Sequence, residues 1–398
     1  MRATIEEWLV AQGLEGRPTA DIIAGFCARL VDGGLPLARG VIGSRVLHPQ
    51  FGAVSLMWRR GGGAVEIDRF QHDQTDEFAT SPFARLAGGG DGGTMRRRLI
   101  DPDCPRDFPL LDRLAASGMT DYFCTVVSFG ESTATNRLYS SWTTDRGGGF
   151  ANAELAYLVR LLPLLALAIK ASTAPRVARN LLALYLGQDA GDRVLAGTIQ
   201  RGSMQSIRAV LYYADLAGFT RFAETNTGLA LVATLNHYLE AIAVPVTRRR
   251  GQVLKFLGDG LLATFALADF SGETESAIGA ALDAAEEALA RVAALRAERE
   301  AGGEPALDVD IALHLGDVLY GNIGTEDRLD FTVIGPAVNE ASRIETLCQA
   351  LARRVLVSAV LADAAGAARQ RLEPVGHVGL RGVREPQLLF GLARPRGA

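Results

Sequence analysis

The sequence predicts an α+β protein in two parts. Residues 207–398 have the ferredoxin-like βαββαβ order, and residues 1–172 read as an antiparallel sheet with flanking helices. Three observations predict this. From Ile207 onward, β-branched and aromatic runs alternate with helical periodicity in the order strand, helix, hairpin, helix, strand. Before that, short apolar runs separated by turn residues lie between helical segments, as in small sensor domains. Between the two, 173–206 carries apolar residues at helical spacing interrupted by Gly187, Gly191, Gly197 and Gly202. It reads either as a helical linker or as short amphipathic helices that pair with a second copy.

In the C-terminal part, Val210, Leu211, Tyr212 and Tyr213 favour a strand, which ends at Asp215. A helix follows over 227–243, with Leu229, Val232, Leu235, Leu239 and Ile242 spaced for one buried face. VLKFL and LLATFA flank Gly258-Asp259-Gly260 and read as a hairpin. An alanine-rich helix covers 274–297 and stops near Gly302-Gly303. VDIALHLGDVLYG and RLDFTVIG are further strands, and a helix runs from Ala337 to Ala350. In the N-terminal part, a helix is expected over 18–33, then strands in RGVIGSRVLHP and GAVSLMWRRG. LAGGGDGGTMRRR reads as a loop; DYFCTVVSFG and NRLYSSWTTD are two more strands, and 151–170 is a helix.

A chain of 398 residues accommodates two domains, and an apolar fraction of 48% suffices for their cores. The net charge of −4 argues against a general nucleic-acid binder. Cys27, Cys104, Cys124 and Cys348 form no Cys-x-x-Cys pair, which suggests reduced thiols and a cytoplasmic setting. The N-terminal stretch lacks the apolar core of a secretory signal. The apolar run LLPLLALAI, 161–169, is about half a bilayer span, so no membrane span is expected. The five histidines show no ligand spacing. Arg96-Arg97-Arg98 reads as a solvated patch or an anion contact, and Trp58 and Trp142 as core or pocket lining.

Three segments carry chemistry. Asp215 closes a core strand and is followed by a glycine-containing turn and a helix start, whose N–H groups over Leu216–Phe219 can cradle phosphate oxygens. Asp259 sits in a hairpin turn that the fold brings to the same sheet edge. Two carboxylates there repel unless a cation lies between them, and Mg2+ or Mn2+ completed by substrate phosphates is a recurrent solution. In DFTVIGPAVNEASRIE, Asn339 and Arg343 stand four apart on a helix, so a neutral donor and a cation project from one face.

Together these segments resemble the class III nucleotidyl cyclase catalytic domain, from about Ile207 to Phe390. The resemblance implies that Asp215, Leu216 and Asp259 hold two metal ions per site, and that Leu216, Ala217, Gly218, Phe219 and Thr220 meet the phosphates. It assigns Lys255 and Thr332 to the purine, and Asn339 and Arg343 to the ribose and the transition state. Arg381 and Arg384 are both candidates for the leaving pyrophosphate, and spacing does not choose between them. Adenine offers an acceptor at N1 and a donor at its amine, which a lysine and a threonine hydroxyl match. Guanylyl members carry a carboxylate where Lys255 stands, so the implied substrate is ATP and the product cyclic AMP. In the family one site draws its two halves from different subunits, which implies a homodimer. The N-terminal part reads either as a sensor resembling GAF or PAS domains, which would receive an unknown small-molecule or protein signal, or as a dimerisation and docking scaffold alone. A reading from another class is a degenerate cyclase that binds nucleotide or a partner without turnover.

Overall fold

The computed structural model describes residues 3–73, 76–88, 93–130, 136–226, 228–380 and 385–393. The chain divides into two compact units, Met1–Leu181 and Leu182–Ala398.

The first unit is built on β1 (Arg39–Arg45), β2 (Ala53–Arg59), β3 (Glu66–Phe70), β4 (Thr94–Arg98), β5 (Asp121–Ser128) and β6 (Arg137–Thr144). They form one antiparallel sheet in the order β3-β2-β1-β6-β5-β4. Helices α1 (Ile5–Leu14), α2 (Thr19–Asp32) and α6 (Asn152–Leu186) cover one face, burying Ile22, Phe26, Leu158 and Leu165 with Ile42, Leu56 and Trp142. Trp142 is core: its ring meets Phe26 edge-on, centroids 5.8 Å apart. The single turn α3 (Asp76–Ala79) precedes α4 (Pro82–Ala87). Leu86 of α4, with Leu111 and Leu114 of α5 (Pro109–Ala116), packs on the other face against Met95, Tyr122 and Cys124. A cavity of about 200 Å³ opens on that face beside Gly43, Phe70, Phe83 and Tyr139.

Thr94–Arg98, expected in a loop, is an edge strand. Its arginines are not an open anion patch, because carboxylates already fill it. Arg96 Nη2 donates to the buried Asp121 carboxylate at 2.7 Å, and Arg97 Nη2 donates to Asp107 at 2.8 Å. The helix expected over 151–170 runs on to Leu186. By length and composition alone, α6 and a second helix, Gly228–Arg248, could each cross a bilayer, which the short run 161–169 did not suggest. In the structure α6 buries Leu158, Leu161, Leu162, Leu165 and Ile169 in the core of the first unit.

The second unit opens with α7 (Gln188–Leu195), then β7 (Met204–Ala217), α8 (Phe219–Thr225), α9 (Gly228–Arg248), β8 (Gln252–Leu257) and β9 (Gly260–Ala266). Next come α10 (Thr274–Ala301), β10 (Asp308–Gly324), β11 (Leu329–Ile334) and α11 (Pro336–Glu345). It closes with β12 (Val355–Ser358), α12 (Ala359–Asp363), β13 (Leu372–Val378) and β14 (Gln387–Leu392). The sheet order is β13-β14-β12-β10-β7-β9-β8, and β11 pairs with β10. The run β10-β7-β9-β8, antiparallel throughout, is the expected ferredoxin-like core.

Alternation along β7 sorts its side chains. Val210, Tyr212, Ala214 and Leu216 enter the main core with Tyr238 and Ile242 of α9 and Ile278 and Leu282 of α10. Leu211 and Tyr213 face the other way, with Ala337 and Ala341 of α11. The buried stripe of α9 differs from the expected one. Thr234, Tyr238, Ala241, Ile242 and Val246 are inside, whereas Leu229 is 88% and Val232 52% exposed. The Tyr238 hydroxyl accepts the Leu307 N–H at 3.0 Å in the core. Helix α11 stops at Glu345 rather than Ala350, where the Thr346 hydroxyl donates to the Arg343 carbonyl at 2.8 Å.

Candidate active site

Strand β7 continues two residues past Asp215, to Ala217, and Gly218 then turns in the left-handed region (φ 89°) to start α8. Asp215 has the parity of Leu211 and Tyr213, so it stands on the α11 side of the sheet, half-buried. Asp259 reaches it because of its neighbour. A side chain on Gly260 would put a Cβ 2.4 Å from the Ala214 carbonyl oxygen and 2.7 Å from Asp215 Oδ1. Only glycine permits this approach, and it delivers Asp259 beside Asp215.

Two further carboxylates surround the pair. Asp310 of β10 is in register with Asp215 and is 1% exposed. Arg354 Nη1 donates to it at 2.8 Å and compensates its charge. Glu345, the last residue of α11, is pushed up to about 7 by burial and then by Asp215, Asp310 and Asp259. Burial, then Asp259 and Asp310, raises Asp215 to about 6, and burial raises Asp259. Among the described residues, no arginine or lysine forms an ion pair with Asp215 or Asp259. Among the described residues no group of three or more acids, histidines or cysteines is close enough to hold a metal ion, so Asp215 and Asp259 fit a divalent cation only as two of its ligands, the rest coming from elsewhere.

A folding consequence follows. A carboxyl whose folded pKa is raised from 3.8 to about 6 lets the folded state hold a proton that the unfolded state has released. Stability is then lost as pH rises from about 4 to about 6 and stays reduced above. With chelator present at pH 7.5, Asp215→Asn should melt higher than wild type, by about 1–2 kcal/mol after discounting for solvent screening. The gap should close near pH 4. Equal melting at both pH values would contradict the assigned environment.

Lys255, on exposed β8, does not stand free. Its ammonium pairs with the Asp330 carboxylate on β11. Asp330 and Thr332 are two apart on β11 and share a face, so the lysine and the buried Thr332 are brought to one place. Asp330 was missed by sequence reasoning, although its spacing to Thr332 on a strand is a usable signal. Asp310 carried a signal too, as a carboxylate inside the otherwise apolar VDIAL, residues 309–313. Glu345 follows Arg343 by two residues, inside the helix expected from Ala337 to Ala350, and sequence reasoning gave it no role.

Helix α11 turns Ala337, Ala341 and Ile344 inward, and Gly316 makes room for it, since a Cβ there would lie 2.5 Å from that of Ala337. Asn339 is exposed and Arg343 half-buried, one turn apart on another face. Arg343 makes no side-chain ion pair among the described residues. The charges acting on Asp215 and Asp259 do not include Arg343 or Lys255. Arg381 and Arg384 lie outside the described residues.

The family described as the adenylate and guanylate cyclase catalytic domain matches residues 203–393, which supports a class III cyclase domain over that segment of the chain. An adenylate cyclase of Anabaena cylindrica is 31% identical over 161 residues, 40% of this chain and 31% of the relative. An uncharacterised Mycobacterium tuberculosis protein is 28% identical over 222 residues, 55% of this chain and 38% of its own. The chain thus spans about a third of the length of these curated relatives. Among solved structures, the adenylyl cyclase CyaB from P. aeruginosa is similar at 24% identity and a TM-score of 0.44, over 49% of this chain and 98% of that one.

Proposed function

We propose that the protein is an adenylate cyclase, a phosphorus–oxygen lyase that converts ATP to 3′,5′-cyclic AMP and pyrophosphate in a homodimer. The observation that carries this is the uncompensated pair Asp215 and Asp259, held together by Gly260, on a domain of the cyclase family. Asp215, Asp259 and the Leu216 backbone would hold two ions, Mg2+ or Mn2+, which lower the pKa of the ribose 3′-hydroxyl and neutralise phosphate charge. The backbone from Leu216 to Thr220 faces the phosphates at the start of α8. Lys255 donates to adenine N1, and Thr332 accepts from the exocyclic amine. Asn339 orients the ribose while Arg343 meets the charge that builds on the α-phosphate. The subunits exchange these halves: the carboxylates of one protomer face the α11 and Lys255 residues of its partner. The first unit regulates turnover.

A second reading is cyclisation of GTP, and Asp330 is its support. A lysine beside a carboxylate offers one donor and one acceptor, which guanine can use in the opposite register. The adenine reading is preferred because guanylyl members have an acid at the position of Lys255. Parallel assays of ATP and GTP with Mg2+ or Mn2+ on the full chain decide between them. ATP should be the faster substrate, and Lys255→Glu should lower its kcat/KM by about a hundredfold or more, since the N1 donor is lost and a second acid faces Asp330. Faster turnover of GTP by the wild-type chain would refute the base assignment.

A further inference from the structure

In the first unit, three buried side-chain polar atoms belong to one row of the sheet: Arg39 Nη1 and Thr143 Oγ1, which have no hydrogen-bond partner among the described residues, and Tyr122 Oη, whose polar neighbours are Cys124 and Ser141. Arg39 of β1 is in register with Thr143 of β6, and Thr143 with Tyr122 of β5. In-register residues on antiparallel neighbours share a face, with Cα atoms about 4.5–5.5 Å apart. Tyr122 and Thr143 are fully buried, and Tyr122 packs with Leu111 and Leu114 of α5.

The guanidinium is the anomaly. Burying a charge is costly unless an opposite charge meets it. Arg39 Nε donates only to the Met57 sulfur, at 3.0 Å, and no carboxylate pairs with Arg39 among the described residues. The acid that acts on it, Glu66, is already beside Arg59 at 3.5 Å. Burial pulls Arg39 below the usual arginine range; Tyr122 and Glu66 oppose this, while Arg59 and Arg113 add to it. Three arginines against one glutamate leave this end of the sheet positive, and the arginine remains partly open to solvent.

The geometry points to a binding site for a small oxyanion of the carboxylate class on the row Arg39–Thr143–Tyr122. A guanidinium and two hydroxyls are all groups that donate to carboxylate oxygens. A single buried cation suits a monovalent guest. The site does not depend on the cyclase reading, because it lies wholly within the first unit.

The test follows thermal unfolding of the full chain in formate or acetate, with chloride at equal ionic strength as control and inorganic phosphate as a third arm. Wild type should show a saturable rise in Tm with formate or acetate and none with chloride. Arg39→Met should lose the response while melting no lower than wild type without anion, since it removes an unpaired buried charge. Thr143→Val and Tyr122→Phe should each weaken the half-saturating concentration about tenfold. If Arg39→Met fails to fold, these two variants decide, and unchanged affinity in both overturns the proposal. It is equally overturned if wild type gives no response, if Arg39→Met responds like wild type, or if phosphate acts more strongly than the carboxylates.

Discussion

Asp215→Asn and, separately, Asp259→Asn should each lower ATP turnover by about a thousandfold or more while leaving the fold intact. Removing one acid takes a ligand from both proposed ions, and Lewis-acid stabilisation of developing charge is worth several kcal/mol, at about 1.4 kcal/mol per factor of ten. The two losses should not multiply in the double variant, because either substitution already disables the same group. Asp215→Asn makes the sharper experiment. Its neutral amide avoids the burial cost, and then the repulsion from Asp259 and Asp310, that raise the Asp215 carboxyl to about 6, so the variant should be catalytically dead yet melt higher than wild type in chelator. A near-normal rate in either single variant would remove the two-metal reading.

Complementation across the dimer tests a different property of the site. Asp215→Asn spoils the carboxylate half and Arg343→Ala the α11 half, so each homodimer should be nearly inactive. In a mixed dimer, one site inherits both lesions and the other is built wholly from unaltered residues. Equal amounts mixing at random put about half the dimers in that class, each with one working site, so activity should return to roughly a quarter of wild type. Co-expression of the two chains and a cyclic-AMP assay provide the measurement. A mixture as inactive as its parents, with mixed dimers demonstrated, would mean that each subunit builds its own site.

The parts of this molecule that could be read from sequence are those whose causes are local. The hairpin around Gly258-Asp259-Gly260 announces itself by its glycines, and β7 by its aromatic and β-branched run. What escaped depends on partners distant in the chain. TMRRR looks like a charged loop because the acid that makes Arg96 a strand residue, Asp121, lies 25 positions on. The exposed EIDRF of β3 carries no apolar alternation, since it is an edge strand paired only with β2. The face of α9 was misjudged because Tyr238, Ala241, Ile242 and Val246 are the residues packed into the core with β7 and α10, which leaves Leu229 and Val232 outside. Around the site, Asp310 and Glu345 became relevant only when β10 and α11 were laid against β7.

Gly260 bears on how related genes should be read. A chain that keeps both aspartates, the lysine and the Asn/Arg pair would ordinarily be scored as an active enzyme. Were alanine or serine to replace the glycine, the added carbon would collide with the Ala214 carbonyl and Asp215 Oδ1, and the hairpin would have to back away from the strand. Every residue on the usual checklist would be intact, but the acids would no longer stand side by side. A pseudoenzyme of this kind would be invisible to any inventory of charged and polar positions. The residue with no side chain should therefore be scored alongside the aspartates when silent copies are sorted from working ones.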